Sequence, residues 1–130
     1  MADDVRSAAP GLAGSTRLVA VAHTFASASA TSEIPLAAGD VVVQCWFEVT
    51  TAYNAGSTNV IIVGDGTTTN KYLTSSDVTE GTPAVYPTGG KGPFPAETGA
   101  GTLTVGYTQS GTAAGTGAGK FYALITSAPA

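Results

Sequence analysis

The sequence predicts an all-β fold: an antiparallel β-sandwich of jelly-roll type, with six to eight strands and an extended N-terminal arm. Three observations carry that prediction. Residues 41–50 alternate between apolar and polar side chains with a period of two. Clusters of Gly, Pro, Asn and Asp separate a series of short apolar runs. No segment joins a 3.6-residue apolar period to a helix cap.

Residues 1–14 read as the arm. They hold Asp3, Asp4, Pro10, Gly11 and Gly14 and show no periodicity, so they suit a segment that is either disordered or laid across a neighbour. Residues 15–130 form the sandwich. The run 16–25 is apolar and β-compatible, and 27–32 is a loop of small polar residues. Ile34-Pro35-Leu36 is a short extended edge, because Pro35 has no N–H to give a central ladder. Ala38-Gly39-Asp40 is a turn.

In 41–50 the alternation places Val41, Val43, Cys45, Phe47 and Val49 on the core face. Val42, Gln44, Trp46, Glu48 and Thr50 fall on the other. Trp46 therefore covers a second layer or an interface. Asn54-Ala55-Gly56 turns the chain into a strand over 59–63, whose run Val60-Ile61-Ile62-Val63 points to burial on both faces. Gly64-Asp65-Gly66 closes it, and 71–73 is a further short strand. Residues 81–101 are an irregular excursion rich in Pro and Gly, with a short strand near 84–86. Leu103, Val105 and Tyr107 alternate with polar neighbours. They pair with a strand over 120–126 in a terminal hairpin, across the Gly/Ala/Thr run 110–119.

Composition narrows the function. A length of 130 residues suits one domain, and 43% apolar residues suffice for a core. Only 11% are charged, against about 25% in ordinary soluble domains, so the surface is mostly Thr, Ser, Ala and Gly. Such a surface suits packing against copies or partners. A net charge of −4, with five basic residues scattered from Arg6 to Lys120, excludes a nucleic-acid track. No run approaches the roughly 20 apolar residues of a membrane span. The apolar stretch 18–25 before Ala-Ser-Ala is read as a strand and not as a leader, since Asp3 and Asp4 stand where basic residues belong.

No catalytic, cofactor or metal site is predicted. Gly115-Thr116-Gly117-Ala118-Gly119-Lys120 looks like a phosphate loop, but Ala114 and Phe121 occupy two of its required positions and a strand follows instead of a helix. His23 is the one histidine, so it assembles no triad, and its parity with Val19, Val21 and Phe25 points it inward or into an interface. Asp40, Asp65, Asp77 and Glu80 match no calcium-loop spacing. Cys45 lies on the core face with no base nearby in sequence, and as the one cysteine it makes no internal disulfide. An enzyme is not expected.

Three stretches carry a family likeness: Glu48-Val49-Thr50-Thr51-Ala52-Tyr53-Asn54-Ala55-Gly56; Ile62-Val63-Gly64-Asp65-Gly66 with Tyr72-Leu73-Thr74; and Phe121-Tyr122-Ala123-Leu124-Ile125. With them the chain resembles small virion proteins encoded among the head genes of tailed bacteriophages. The resemblance implies a non-enzymatic capsid decoration, or cement, protein on the outer surface of the head, assembled in the host cytoplasm. Its partners would be the major capsid protein and copies of itself, with a trimer as the implied oligomer, and neither nucleic acid nor membrane. Asp3, Asp4, Val5, Arg6 and Leu12 of the arm, together with Trp46, Tyr86 and Phe94, are the candidate partner contacts. The alternatives are a tail or head-to-tail joining protein and a receptor- or carbohydrate-binding module using Tyr53, Tyr86, Phe94 and Trp46 as ring platforms.

Overall fold

A computed structural model describes residues 15–27 and 30–127. The predicted arm, with Asp3, Asp4, Val5, Arg6 and Leu12, lies outside the described residues. Seven strands follow in order: β1 (Thr16–Thr24), β2 (Ala30–Leu36), β3 (Val41–Thr51), β4 (Thr58–Gly64), β5 (Ala84–Lys91), β6 (Gly101–Ser110) and β7 (Ala118–Thr126). They form two antiparallel sheets, one ordered β1-β7-β3-β5 and the other β2-β6-β4. The all-β sandwich is therefore as predicted, and its strand number falls within the expected range.

Both sheets bury one face against the other. Val21, Val42, Cys45, Phe47, Phe121, Ala123 and Ile125 come from the four-stranded sheet, and Ile61, Val63, Leu103 and Val105 from the three-stranded one; all are 0% exposed. The period of two explains the division, because inward residues alternate with half-buried or exposed ones along β6 and β7. Interdigitation of two such faces is the usual core of a sandwich.

Four expectations need correction. Val41 and Val43 are half-buried while Val42 is fully buried, because a register shift between Val42 and Gln44 inverts the alternation at the start of β3. Cys45, Phe47 and Val49 keep their predicted inward place beyond it. The segments read as a terminal hairpin belong to different sheets: β6 pairs with β2 and β4, and β7 with β1 and β3. Alternation reports which face is buried and carries no information about which strand lies alongside. Residues 71–73 make one isolated bridge, Val63 to Leu73, instead of a strand. Lastly, β2 begins at Ala30, inside the predicted loop, and β5 extends from the predicted 84–86 through to Lys91.

Candidate functional site

The titratable side chains that could do chemistry are committed to holding loops. Asp65 accepts from the backbone N–H groups of Thr67 and Thr68 at 3.0 and 2.7 Å, and Lys71 stands 3.7 Å away. Burial pushes the Asp65 carboxyl up, but the Thr68 and Thr67 donors, a hydrogen bond with Glu97 and the Lys71 charge outweigh it, so the net shift is downward. Glu97 takes the Lys71 ammonium at 2.6 Å and the Tyr72 hydroxyl as well. These contacts clasp the 92–100 segment onto the turn after β4.

Asp77 accepts from Thr74 N–H at 2.7 Å and from Lys91 at 2.6 Å. Burial raises its carboxyl, yet Lys91 and Thr74 bring the net shift below the ordinary value. Glu80, 8% exposed, accepts from Ile61 N–H at 2.8 Å, and burial raises it despite that bond. Asp40 accepts from Ala37 N–H at 2.9 Å. Asp40, Asp65, Asp77 and Glu80 are thus each occupied by backbone donors. Among the described residues no group of three or more His, Cys, Asp or Glu is placed to hold a metal ion.

His23 is 1% exposed, with Nδ1 at 2.9 Å from the Tyr53 hydroxyl and its ring against those of Tyr53 and Tyr107. Burial lowers its pKa. The inward placement read from strand parity is correct. Cys45 is fully buried and its thiol is pushed up to about 12, chiefly by burial, so it is no nucleophile at neutral pH. The Gly/Ala/Thr loop is tied down by Asn54, whose side-chain oxygen accepts from Gly115 and Thr116 N–H groups. An open depression of about 330 Å³ beside it, lined by Phe25, Ser27, Tyr107, Thr108 and Gln109, offers neutral groups alone.

Each sheet also turns one face outward, and that of the four-stranded sheet carries Trp46. Register places Leu18, Leu124 and Gln44 in one row, Ala20, Tyr122 and Trp46 in the next, and Ala22, Lys120, Glu48 and Val85 in a third. The Trp46 indole stacks on the Tyr122 phenol at 5.5 Å and 19°. Leu18 is 61% exposed and Val85 41%, the exposed large hydrophobics among the described residues. Charge on this face is a single opposed pair, Glu48 and Lys120. An apolar, ring-bearing face with its charge in one row fits contact with another protein surface.

The remaining sequence candidates lie elsewhere. Tyr86 is half-buried opposite Phe47 and donates its hydroxyl to Thr82 O at 2.6 Å. Phe94 is half-buried edge-on to Tyr72, with ring centroids 5.0 Å apart. Neither shares the face that carries Trp46, because both pack against the core. Tyr53, named as a ring platform, is 2% exposed and presents no face to a glycan. Tyr122 and the Lys71–Glu97–Tyr72 clasp escaped the sequence reading. Parity along 120–126 could have found Tyr122, whereas the clasp joins residues from separate loops.

Two solved structures share the fold. A chain of the "Cyanophage Pam1 capsid asymmetric unit" superposes with a TM-score of 0.65 and 18% identity, covering 95% of this chain and 94% of that one. A chain of the "Acidic stable capsid structure of Helicobacter pylori bacteriophage KHP30" gives 0.59 and 19%, covering 85% and 86%. No family model and no curated protein sequence matches the chain. The expected likeness to phage virion proteins is thus met at the level of fold.

Proposed function

We propose that this chain is a non-enzymatic structural protein of a tailed-phage virion, bound to the outer surface of the head as a decoration protein. The observation that carries the reading is the fold shared with chains of two phage capsid structures, over 95% and 85% of this chain. Those chains are matched over 94% and 86% of their own length, which suits a small component of a shell. Three features support the reading. The sequence is only 11% charged, the carboxylates of Asp40, Asp65, Asp77, Glu80 and Glu97 are taken up in contacts within the fold, and its outer sheet face is apolar around Trp46. Contacts of ordinary size, about 800 Å² per partner, become strong when a lattice repeats them.

In this reading the Trp46 face and the arm residues Asp3, Asp4, Val5, Arg6 and Leu12 meet the major capsid protein, while Tyr86 and Phe94 hold the loop beside β5. Quantitative mass spectrometry of purified virions is the test. A copy number on the scale of the capsid lattice, with lowered heat resistance of stripped particles, is the expected result. A handful of copies per particle would assign the chain to the tail or the head-to-tail joint instead.

A further inference from the structure

A sandwich of two open sheets has four edges, and three of these are closed by visible devices. The β2 edge carries Pro35 and a register shift between Ser32 and Ile34. The β5 edge carries Pro87, together with Gly89 and Gly90 at φ +81° and +80°. The β4 edge is capped by the 72–80 segment: Val63 and Leu73 exchange backbone bonds, and Glu80 takes Ile61 N–H. Such interruptions and covers are how sheet proteins prevent edge-to-edge pairing.

The β1 edge has none of them. Its nine residues pair with β7 in unbroken register, from Thr16 opposite Thr126 to Thr24 opposite Ala118. It contains neither Pro nor Gly, and its one charge, Arg17, turns away to Pro35 O at 3.2 Å and Asp40 at 3.9 Å. Backbone bonds flank the strand at Ser127 N to Ser15 O and Phe25 N to Gly117 O. In an antiparallel ladder these fix the odd residues as those bonded to β7. The N–H and C=O groups of Thr16, Leu18, Ala20, Ala22 and Thr24 therefore point out of the sheet edge. Among the described residues, Thr24 N–H finds Ser27 Oγ and its carbonyl accepts from Ser27 N–H, both at 3.0 Å, and no strand pairs with the outward groups of Thr16, Leu18, Ala20 and Ala22.

We infer that β1 is a pairing edge for β1 of a second copy, which would join two four-stranded sheets into one across a twofold axis at Ala20. Antiparallel pairing about Ala20 sets Thr16 against Thr24, Leu18 against Ala22 and Ala20 against its own copy. The free outward groups of Leu18, Ala20 and Ala22 meet one another, while Thr24, already bonded to Ser27, leaves the Thr16 pair at the rim. This register also sets the large exposed Leu18 beside the small Ala22 on one face, and it opposes no like charges. A second copy is favoured over the chain's own residues 1–14, whose Asp3, Asp4 and Pro10 suit a strand poorly. Pairing of like with like is isologous and closes at two copies, in contrast to the trimer implied by the family resemblance. The inference stands apart from the decoration reading, since it concerns the free protein.

The interface is one strand edge with its adjoining side chains, so a dissociation constant of about 1–100 µM is expected. Sedimentation equilibrium of the full chain up to several times that concentration should report a dimer. Ala20→Lys, at an exposed position where the lysine is accommodated, should weaken it at least about tenfold while leaving the melting curve in place. Val85→Lys, on the same face at the far edge, should not. In a second measurement, Ala20→Cys should cross-link to its copy with a short bis-maleimide, while the wild type, whose Cys45 is buried, should not. A monomer throughout, a trimer, or a dimer indifferent to Ala20→Lys and not joined through Ala20→Cys would overturn the inference. Virion copy number bears on none of these outcomes.

Discussion

The Nδ1 atom of His23 lies 2.9 Å from the Tyr53 hydroxyl, which donates in turn to the His23 carbonyl at 3.3 Å. With the phenol proton given to that carbonyl, the imidazole proton is assigned to Nδ1. Nε2 is then bare, fully buried and without a hydrogen-bond partner. Protonating it would bury both a charge and an N–H that has no acceptor. The folded pKa is accordingly below 6.5. As pH falls past 6.5 the unfolded chain takes up the proton first, so this contribution to stability is complete above 6.5 and declines down to the folded value. Glu80 acts with the opposite sign: its pKa is raised above 4.5, so its share is lost as pH rises through that window. Urea melts between about pH 7 and about pH 5 should show stability falling with acid, and His23→Phe should flatten the slope. Tyr53→Phe should cost about 1–2 kcal/mol at neutral pH.

Lys71 joins two carboxylates, Glu97 at 2.6 Å and Asp65 at 3.7 Å, with the Tyr72 hydroxyl on the first. Lys71→Met removes the cation and leaves both acids in place, Glu97 being 6% exposed. Breaking a pair of this kind by one partner costs about 3 kcal/mol. The Asp65 pKa is held below 3.8, so its stabilisation is present above that value and is lost as pH falls through the folded pKa. The Lys71→Met deficit should therefore be large at neutral pH and shrink toward about pH 3, as read by thermal melts across that range.

The architecture was legible where one face of a strand decides the pattern. Cys45, Phe47 and Val49 were placed correctly because each is fully or nearly fully buried and their neighbours are not. Val42 was misplaced because a bulge adds a residue without changing composition. The supposed hairpin failed because strand partnership depends on crossings between sheets, which local alternation does not encode. The outward place of Trp46 could be read from parity. Parity along 120–126 holds the outward place of Tyr122 too, but its stacking on Trp46 and the loop clasps join residues far apart in the chain, such as Tyr72 with Glu97.

Gly117 sits at φ +146°, and a Cβ there would stand 2.4 Å from the Tyr53 ring. Side chains rarely adopt that backbone conformation, and the ring is packed on both His23 and Tyr107 and has no room to retreat. Gly117→Ala should destabilise by about 1–3 kcal/mol. Gly115→Ala, two residues away with open space around it, should change the urea midpoint little.

Trp46 is the sole tryptophan, so its emission reports on the outer sheet face alone. Stacked on Tyr122 and half-buried, it sits at the boundary between protein and water. On titration with decoration-free heads the emission should shift to the blue as the face is covered. Trp46→Ala should weaken that binding about tenfold or more, in keeping with ring anchors at interfaces. Its own melting temperature should fall modestly, because the indole packs outside the core. An unchanged spectrum at saturation would place the contact on another face.

Cys45 is 0% exposed, and burial lifts its thiol to about 12. At about pH 8 roughly one molecule in ten thousand carries the thiolate, and even that one is shielded. A thiol reagent must therefore wait for the sandwich to open, which makes the labelling rate a reading of that opening. Phe47, two residues on and fully buried, anchors the same face, and Phe47→Ala should cost about 3–5 kcal/mol. When reclosing outpaces chemistry, the rate follows the open population, so this variant should label at least about a hundredfold faster than the wild type. Equal rates in the two proteins would mean that Cys45 is reached by a local movement at the bulge between Val42 and Gln44, without separation of the sheets.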